Sequence, residues 1–235
     1  MTADTTPTAL EVGLLLFPRL TQLDMTGPFE VLARLPGARM RLLWKTKDPV
    51  RADTGLAMLP DTSFEECPPL DVICVPGGPG VAALMEDETV LAFLRRQAAG
   101  ARYVTSVCTG ALVLGAAGLL RGRRATTHWA SHDFLAALGA TPVAARVVRD
   151  GPLITGGGVT AGIDFALTIA AEIAGPEAAQ AIQLQIEYAP EPPFPAGRPE
   201  SAPAAVLEQA KRRGAAMRQE REALVARVAA RLAAA

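Results

Sequence analysis

The chain has 235 residues, 50% of them hydrophobic, enough for one large α/β domain and a tail. Its 23 basic and 24 acidic residues leave a formal charge of −1, which excludes the electrostatic footprint of a nucleic-acid-binding surface. Three cysteines, no leader pattern in Met1–Ala9 and no apolar run of membrane-spanning length argue against a disulfide scaffold or a membrane protein, and point to a cytoplasmic protein with free thiols.

Strand-like and helix-like segments alternate. Met1–Ala9 reads as a frayed terminus. Val12–Phe17 is a continuous apolar run, as a strand buried on both faces requires. Pro28 predicts the first turn of a helix running to about Leu35. Met40–Lys45 is the next strand, and Leu56–Leu59 reads as a hairpin arm. Asp71–Val75 is a buried strand closed by Pro76-Gly77-Gly78-Pro79-Gly80. Glu88–Ala99 has a helical pattern ended by Gly100. Arg102–Val107 is a strand, and Ala111–Leu120 a small-residue helix. Ser131–Leu138 is helical, and Val143–Arg149 and Leu153–Thr155 form a β pair around Asp150-Gly151. Thr160–Ala174 and Pro176 to about Ile186 are helices. The alternation predicts an α/β fold over residues 10–187, a three-layer, flavodoxin-like sandwich with a mostly parallel sheet. Residues 188–203 form a proline-rich connector. Residues 204–235 form one long helix whose apolar positions (Val206, Ala210, Met217, Leu224, Val228, Leu232) pack on the domain or on a partner subunit.

The chemistry concentrates at Cys108, between the strand and the small-residue helix. That is the layout of a nucleophile elbow, with small neighbours where backbone must pass close by. A helix N-terminus favours a thiolate; the alternative is a cysteine that only packs. Asp24, in Leu23-Asp24-Met25-Thr26-Gly27-Pro28, follows the first strand and stands over the sheet's C-terminal edge, as a site carboxylate or a helix N-cap. Glu30 reads as a solvated helix residue. The glycine loop lacks the lysine of a phosphate loop. It is either a plain tight turn or half of an anion hole, with the Gly78 N–H on one side and the Thr109 N–H on the other. His128 is a candidate pocket residue or a structural histidine, and His132 a surface one. Cys67 and Cys74 lack an activating setting. No Cys/His spacing suits zinc, so no metal is expected.

The elbow, the P-G-G-x-G loop and the first-helix acid resemble the ThiJ/PfpI superfamily, with its class I glutamine-amidotransferase-like fold, over Val12 to Ile186. Within it, Leu23-Asp24-Met25-Thr26-Gly27-Pro28, Val107-Cys108-Thr109-Gly110, Ala125-Thr126-Thr127-His128-Trp129, Thr155-Gly156-Gly157-Gly158 and Tyr188-Ala189-Pro190-Glu191-Pro192-Pro193-Phe194 resemble the isonitrile hydratase family. The last is the most telling, because it lies outside the common fold. The resemblance implies a homodimeric, cofactor-free enzyme that hydrates an isonitrile to an N-substituted formamide. It assigns the nucleophile to Cys108, the acid to Asp24 and a supporting hydroxyl to Thr109. Superfamily proteases and glyoxalases carry histidine beside the nucleophile, where this chain has Thr109. The alternatives are another cysteine-dependent amidase or deglycase, a redox sensor, or a regulatory module. Relatives with an AraC-type DNA-binding half argue for the last, but the single helix after Pro203 leaves no room for two helix-turn-helix units.

Overall fold

A computed structural model describes residues 9–234. The reading of Met1–Ala9 as a frayed terminus lies, but for Ala9, outside them. The elements are β1 (Leu10–Leu15), α1 (Gln22–Leu32), β2 (Ala38–Trp44), β3 (Val50–Arg51), β4 (Ala57–Met58), β5 (Thr62–Ser63), β6 (Val72–Val75), α2 (Val81–Leu84), α3 (Glu88–Ala98), β7 (Tyr103–Val107), α4 (Gly110–Ala116), β8 (Arg124–Ala125), a 3₁₀ turn (Trp129–Ser131), α5 (Phe134–Ala137), β9 (Thr141–Pro142), β10 (Val147–Asp150), β11 (Leu153–Gly156), α6 (Ala161–Ala174), α7 (Pro176–Gln185) and α8 (Ala204–Ala233).

Seven strands form the main sheet in the order β10-β11-β7-β6-β1-β2-β5. Every pairing is parallel except β10 with β11. Strands β1, β6 and β7 are buried almost throughout because helices cover both faces. From β1 the chain runs outward to β2 on one side and to β6 and β7 on the other. That reversal opens a crevice at the C-terminal ends of β1, β6 and β7, where open α/β sheets hold their sites.

Four elements depart from the sequence pattern. Helix α1 begins six residues before Pro28, at Gln22, so Asp24 lies in its first turn, and Thr21 takes the N-cap position. Pro28 is tolerated inside the helix, at the cost of leaving the Asp24 carbonyl without its in-helix donor. The compact Gly27-Pro28 pair also lets α6 come close: a Cβ on Gly162 would stand 2.8 Å from Pro28 Cδ. Helix α4 stops at Ala116, short of Leu120. Gly118, at φ +79°, closes it with a Schellman pair, Gly118 N–H to Gly115 O at 2.8 Å and Leu119 N–H to Leu114 O at 3.0 Å. The predicted helix over Ser131–Leu138 is a 3₁₀ turn followed by the single-turn α5; Gly139, at φ +83°, closes it at the predicted end, and the departure lies at its start. Likewise, only Val147–Asp150 of the predicted Val143–Arg149 strand pairs with β11.

Helix α8 lies against the same chain, with Leu224, Val225 and Val228 in the core. Arg227 and Arg218 pair with Glu86 and Asp133 at 3.0 and 2.6 Å. Among the described residues no helix is long and apolar enough to cross a membrane.

Candidate active site

Cys108 ends β7 at φ +54°, a left-handed conformation that a non-glycine residue holds only at a cost. The bend is pinned on both sides: the Cys108 N–H donates to Gly156 O at 3.0 Å, and Thr127 Oγ1 donates to the Cys108 carbonyl at 2.6 Å. Behind it, α4 packs so tightly on β6 that a Cβ on Gly110 would lie 2.0 Å from Val75 O. This is why glycine follows Thr109.

Three segments meet at Gly77. Its N–H donates to Asp24 Oδ2 at 2.8 Å. A Cβ there would stand 2.5 Å from Thr109 N, 2.7 Å from Thr109 Oγ1 and 2.8 Å from Asp24 Oδ2. The structure therefore brings together Asp24, the glycine loop, Thr109 and Cys108. The Gly78 N–H, expected to face a bound anion, instead donates to Thr109 Oγ1 at 3.0 Å. Gly78 is held that way by backbone crowding, since a Cβ on it would lie 2.5 Å from Thr21 N and 2.7 Å from Arg19 O. The hole becomes a clamp on the Thr109 hydroxyl, whose proton has two acceptors, the Gly78 carbonyl at 3.5 Å and the Cys108 sulfur. The Thr109 N–H and hydroxyl both favour the Cys108 thiolate.

Asp24 is fully buried, and burial pushes its carboxyl up to about 7, against a weaker pull downward from the Gly77 N–H and the Cys108 thiol. Its Oδ1 has no hydrogen-bond partner among the described residues. Burial, and after it the Asp24 charge, push the Cys108 thiol up. The thiolate expected from the helix N-terminus is thus outweighed: α4 has only seven residues, and desolvation dominates. The site holds two neighbouring acids, with the carboxyl titrating first.

Cys108 is 7% exposed, and what it exposes faces a cavity of about 740 Å³. Thr21, Pro79, Thr109, His128 and Trp129 form one wall, and α8 forms the other from Ala210 to Glu222. His128 lines the cavity, but its Nδ1 caps the 3₁₀ turn by accepting from Ala130 N–H at 3.3 Å, and burial holds its pKa down. His132, read as a surface residue, is half-buried with Nε2 enclosed and unpartnered among the described residues. Glu30 is exposed and pairs with Arg34. Burial raises the Cys67 and Cys74 thiols to about 11 and about 12, and neither residue lines the cavity. Among the described residues no group of three or more His, Cys, Asp or Glu gathers as metal ligands would.

One cavity residue escaped the sequence reading. Arg221 is 7% exposed and donates from Nη1 to Ser131 Oγ at 3.0 Å. The signal was present: Met217, Leu224 and Val228 mark an apolar stripe, and Arg221 falls at helical spacing within it.

The model of the DJ-1/PfpI family matches residues 11–172. The chain belongs to the DJ-1/PfpI family. It is 62% identical over 224 residues to an isonitrile hydratase of Pseudomonas putida, covering 95% of this chain and 98% of that one. A crystal structure of a ThiJ/PfpI family protein from Pseudomonas syringae superposes with a TM-score of 0.90 at 44% identity, covering 93% of this chain and 91% of the other. Drosophila melanogaster DJ-1beta superposes with a TM-score of 0.71 at 28% identity, over 78% of this chain and all of that one.

Proposed function

We propose that this protein is an isonitrile hydratase, an enzyme that adds water to an isonitrile carbon and releases an N-substituted formamide, with Cys108 as nucleophile, Asp24 as proton carrier and Thr109 as support. One observation carries the reading: a buried carboxyl titrating near neutrality beside a thiol that faces a cavity. The near-full-length similarity to the Pseudomonas putida hydratase supports the choice of substrate.

The proton inventory makes the chemistry balance. The pair is active when it holds one proton, on sulfur with Asp24 ionised. As Cys108 attacks the terminal carbon of R–NC, Asp24 takes the thiol proton and delivers it to the same carbon. The product is a thioimidate, R–N=CH–S–Cys. Asp24, ionised again, then accepts a proton from water as the water oxygen adds to that carbon, and passes that proton to the nitrogen. The adduct R–NH–CH(OH)–S–Cys collapses to R–NH–CHO, and the proton returns to sulfur. Covalent attachment divides one difficult hydration into two easier steps. The base stands beside the thiol, so the thiolate need exist only during attack. This reconciles a raised thiol pKa with nucleophilic work. The Thr109 N–H and hydroxyl stabilise the sulfur as it gains and later regains charge. No step calls for a cofactor. A redox sensor, by contrast, needs an accessible thiolate of low pKa, and burial works against that here. The three free cysteines support a reducing compartment, and we take the protein to be cytoplasmic and homodimeric, as the resemblance implies.

The test is loss of cyclohexyl isonitrile, followed by infrared absorption with purified protein. Cys108→Ala abolishes it. Asp24→Asn lowers it by about 10²–10⁴-fold, and Thr109→Val retains part of it. Near-wild-type turnover by Cys108→Ala ends this mechanism.

A further inference from the structure

Helix α8 buries four side chains, Arg221, Leu224, Val225 and Val228, and one of them is charged. The charge has no counter-charge. Arg221 Nη1 donates to Ser131 Oγ at 3.0 Å and Nη2 to Met217 Sδ at 3.5 Å, both neutral acceptors. Its Nε is enclosed and without a partner among the described residues. The other cations that α8 places on this cavity are already neutralised: Arg218 by Asp133 at 2.6 Å and Lys211 by Glu208 at 2.9 Å. Glu222, the carboxylate on the cavity's rim, is exposed and forms no ion pair among the described residues. A guanidinium kept in a buried stripe without an anion is costly, and a hydrophobic residue of the same size would serve packing better.

Arg221 lines the same cavity as Cys108 and Thr109. Its positive charge reaches the Cys108 sulfur and the His128 ring, lowering the pKa of both. The organic group of an isonitrile bonded to Cys108 therefore occupies the cavity that Arg221 lines. We propose that Arg221 anchors the far end of the substrate, and that the substrates this protein selects are isonitriles carrying a carboxylate a short chain away from the isonitrile carbon. The inference rests on the hydratase reading above. A guanidinium presents a planar fork that fits a carboxylate by two parallel hydrogen bonds. At a guanidinium that is itself buried, that pairing is stronger than in bulk solvent. A neutral isonitrile leaves the buried guanidinium unpaired, and sites built to pair a polar group reject analogues that lack it.

The test compares isocyanoacetate with isocyanoacetamide, which match in shape and differ in charge. The wild type is expected to favour the acid in kcat/KM by on the order of ten-fold or more, the span of a charge-assisted hydrogen bond. That ratio falls toward one in Arg221→Met and is partly kept in Arg221→Lys. Each variant is its own control, because a folding defect lowers both substrates together. Calorimetric binding of the products N-formylglycine and N-formylglycinamide reads the same preference without turnover. A wild type that handles acid and amide alike in rate and in binding overturns the proposal, as does an acid-to-amide ratio that Arg221→Met leaves unchanged. If no isonitrile of any charge is consumed, the hydratase reading fails, and the formylglycine measurement still decides the role of Arg221.

Discussion

The two walls of the cavity are held by different physics. On the elbow wall, Asp24, Cys108 and Thr109 are all at most 7% exposed. Bonds of 2.8 and 3.0 Å tie residues 53 and 31 positions apart. Nothing there moves without disturbing β1, β6 and β7 together. The α8 wall is thirty residues anchored by four buried side chains and by exposed ion pairs. The proposed reaction geometry is therefore built into the sheet, while the proposed ligand choice rests on a helix that can vary or loosen at little cost to the core.

The sharpest contrast concerns Asp24. Replacing it removes the proposed proton carrier, yet relieves the fold of a buried charge. A carboxyl raised from 3.8 to about 7 binds more protons folded than unfolded between those values, so its contribution to stability falls as pH rises from about 4 to about 7. Above that window the loss amounts to at most about 4 kcal/mol, by the shift times the energy per pKa unit. Activity is expected to move the other way: kcat/KM should rise with pH through about 7 as the proposed catalytic pair loses one of its two protons. Asp24→Asn, whose amide oxygen can still accept from Gly77, is expected to be nearly inactive and, at pH 8, more stable than wild type. Urea midpoints for both proteins from pH 4.5 to 8.5 check this. A stability difference that stays flat with pH means that Asp24 is not the buried titrating group.

Next in size is Gly77→Ala. The new methyl would meet the Thr109 backbone and hydroxyl and the Asp24 carboxyl at 2.5–2.8 Å, and none of these is the free end of a flexible chain. Overpacking of this kind costs roughly 1–3 kcal/mol. The displaced groups are the proposed catalytic ones, so activity is expected to drop at least a hundred-fold, more than the melting temperature alone suggests, by the sensitivity of reaction to ångström misplacement. An active, normally stable Gly77→Ala would mean that the elbow wall is softer than its contacts imply.

The same division decides what was legible in the sequence. Apolar runs marked the central strands because parallel strands buried on both faces have no polar side to confuse the pattern. Cys108 stood out because a strand, a nucleophile and a small-residue helix adjoin along the chain. Their immediate neighbours were legible only in part. Pro28 suggested a helix start, since proline usually stands there, and tertiary packing against Gly162 overrode that preference. The Gly78 N–H had been expected to face a ligand, because no string shows the Thr109 hydroxyl folding back onto it. Arg221 was hidden for a different reason. A long helix rich in arginine reads as solvated, and only the register against Met217, Leu224 and Val228 betrays a buried cation.

On the α8 wall, Leu224→Ala removes one of the four anchors, and truncating a buried leucine costs about 2–5 kcal/mol where the surroundings cannot collapse. Here the loss falls on one helix. It is expected to show as faster proteolysis beyond residue 188 and a raised KM, with hydrogen exchange of β6 and β7 unchanged. Equal loss of protection across the sheet would show that α8 and the domain unfold as one unit.

The smallest effect is expected from the ion pair that most visibly fastens α8. Arg227 grips Glu86 with two hydrogen bonds, 3.0 and 3.1 Å long. Yet the two side chains are 60% and 46% exposed, so each trades good hydration for attraction screened by water and salt. Glu86→Gln keeps the size and one acceptor while removing the charge. Its melting temperature should match wild type within error at moderate salt, and any difference at low salt should vanish as salt is added. A large, salt-independent loss would mean that α8 is fastened at its surface rather than by its apolar stripe. Arg221 would then be held in the cavity by that pair, and the contrast between a fixed wall and an adjustable one would lie in charge rather than in burial.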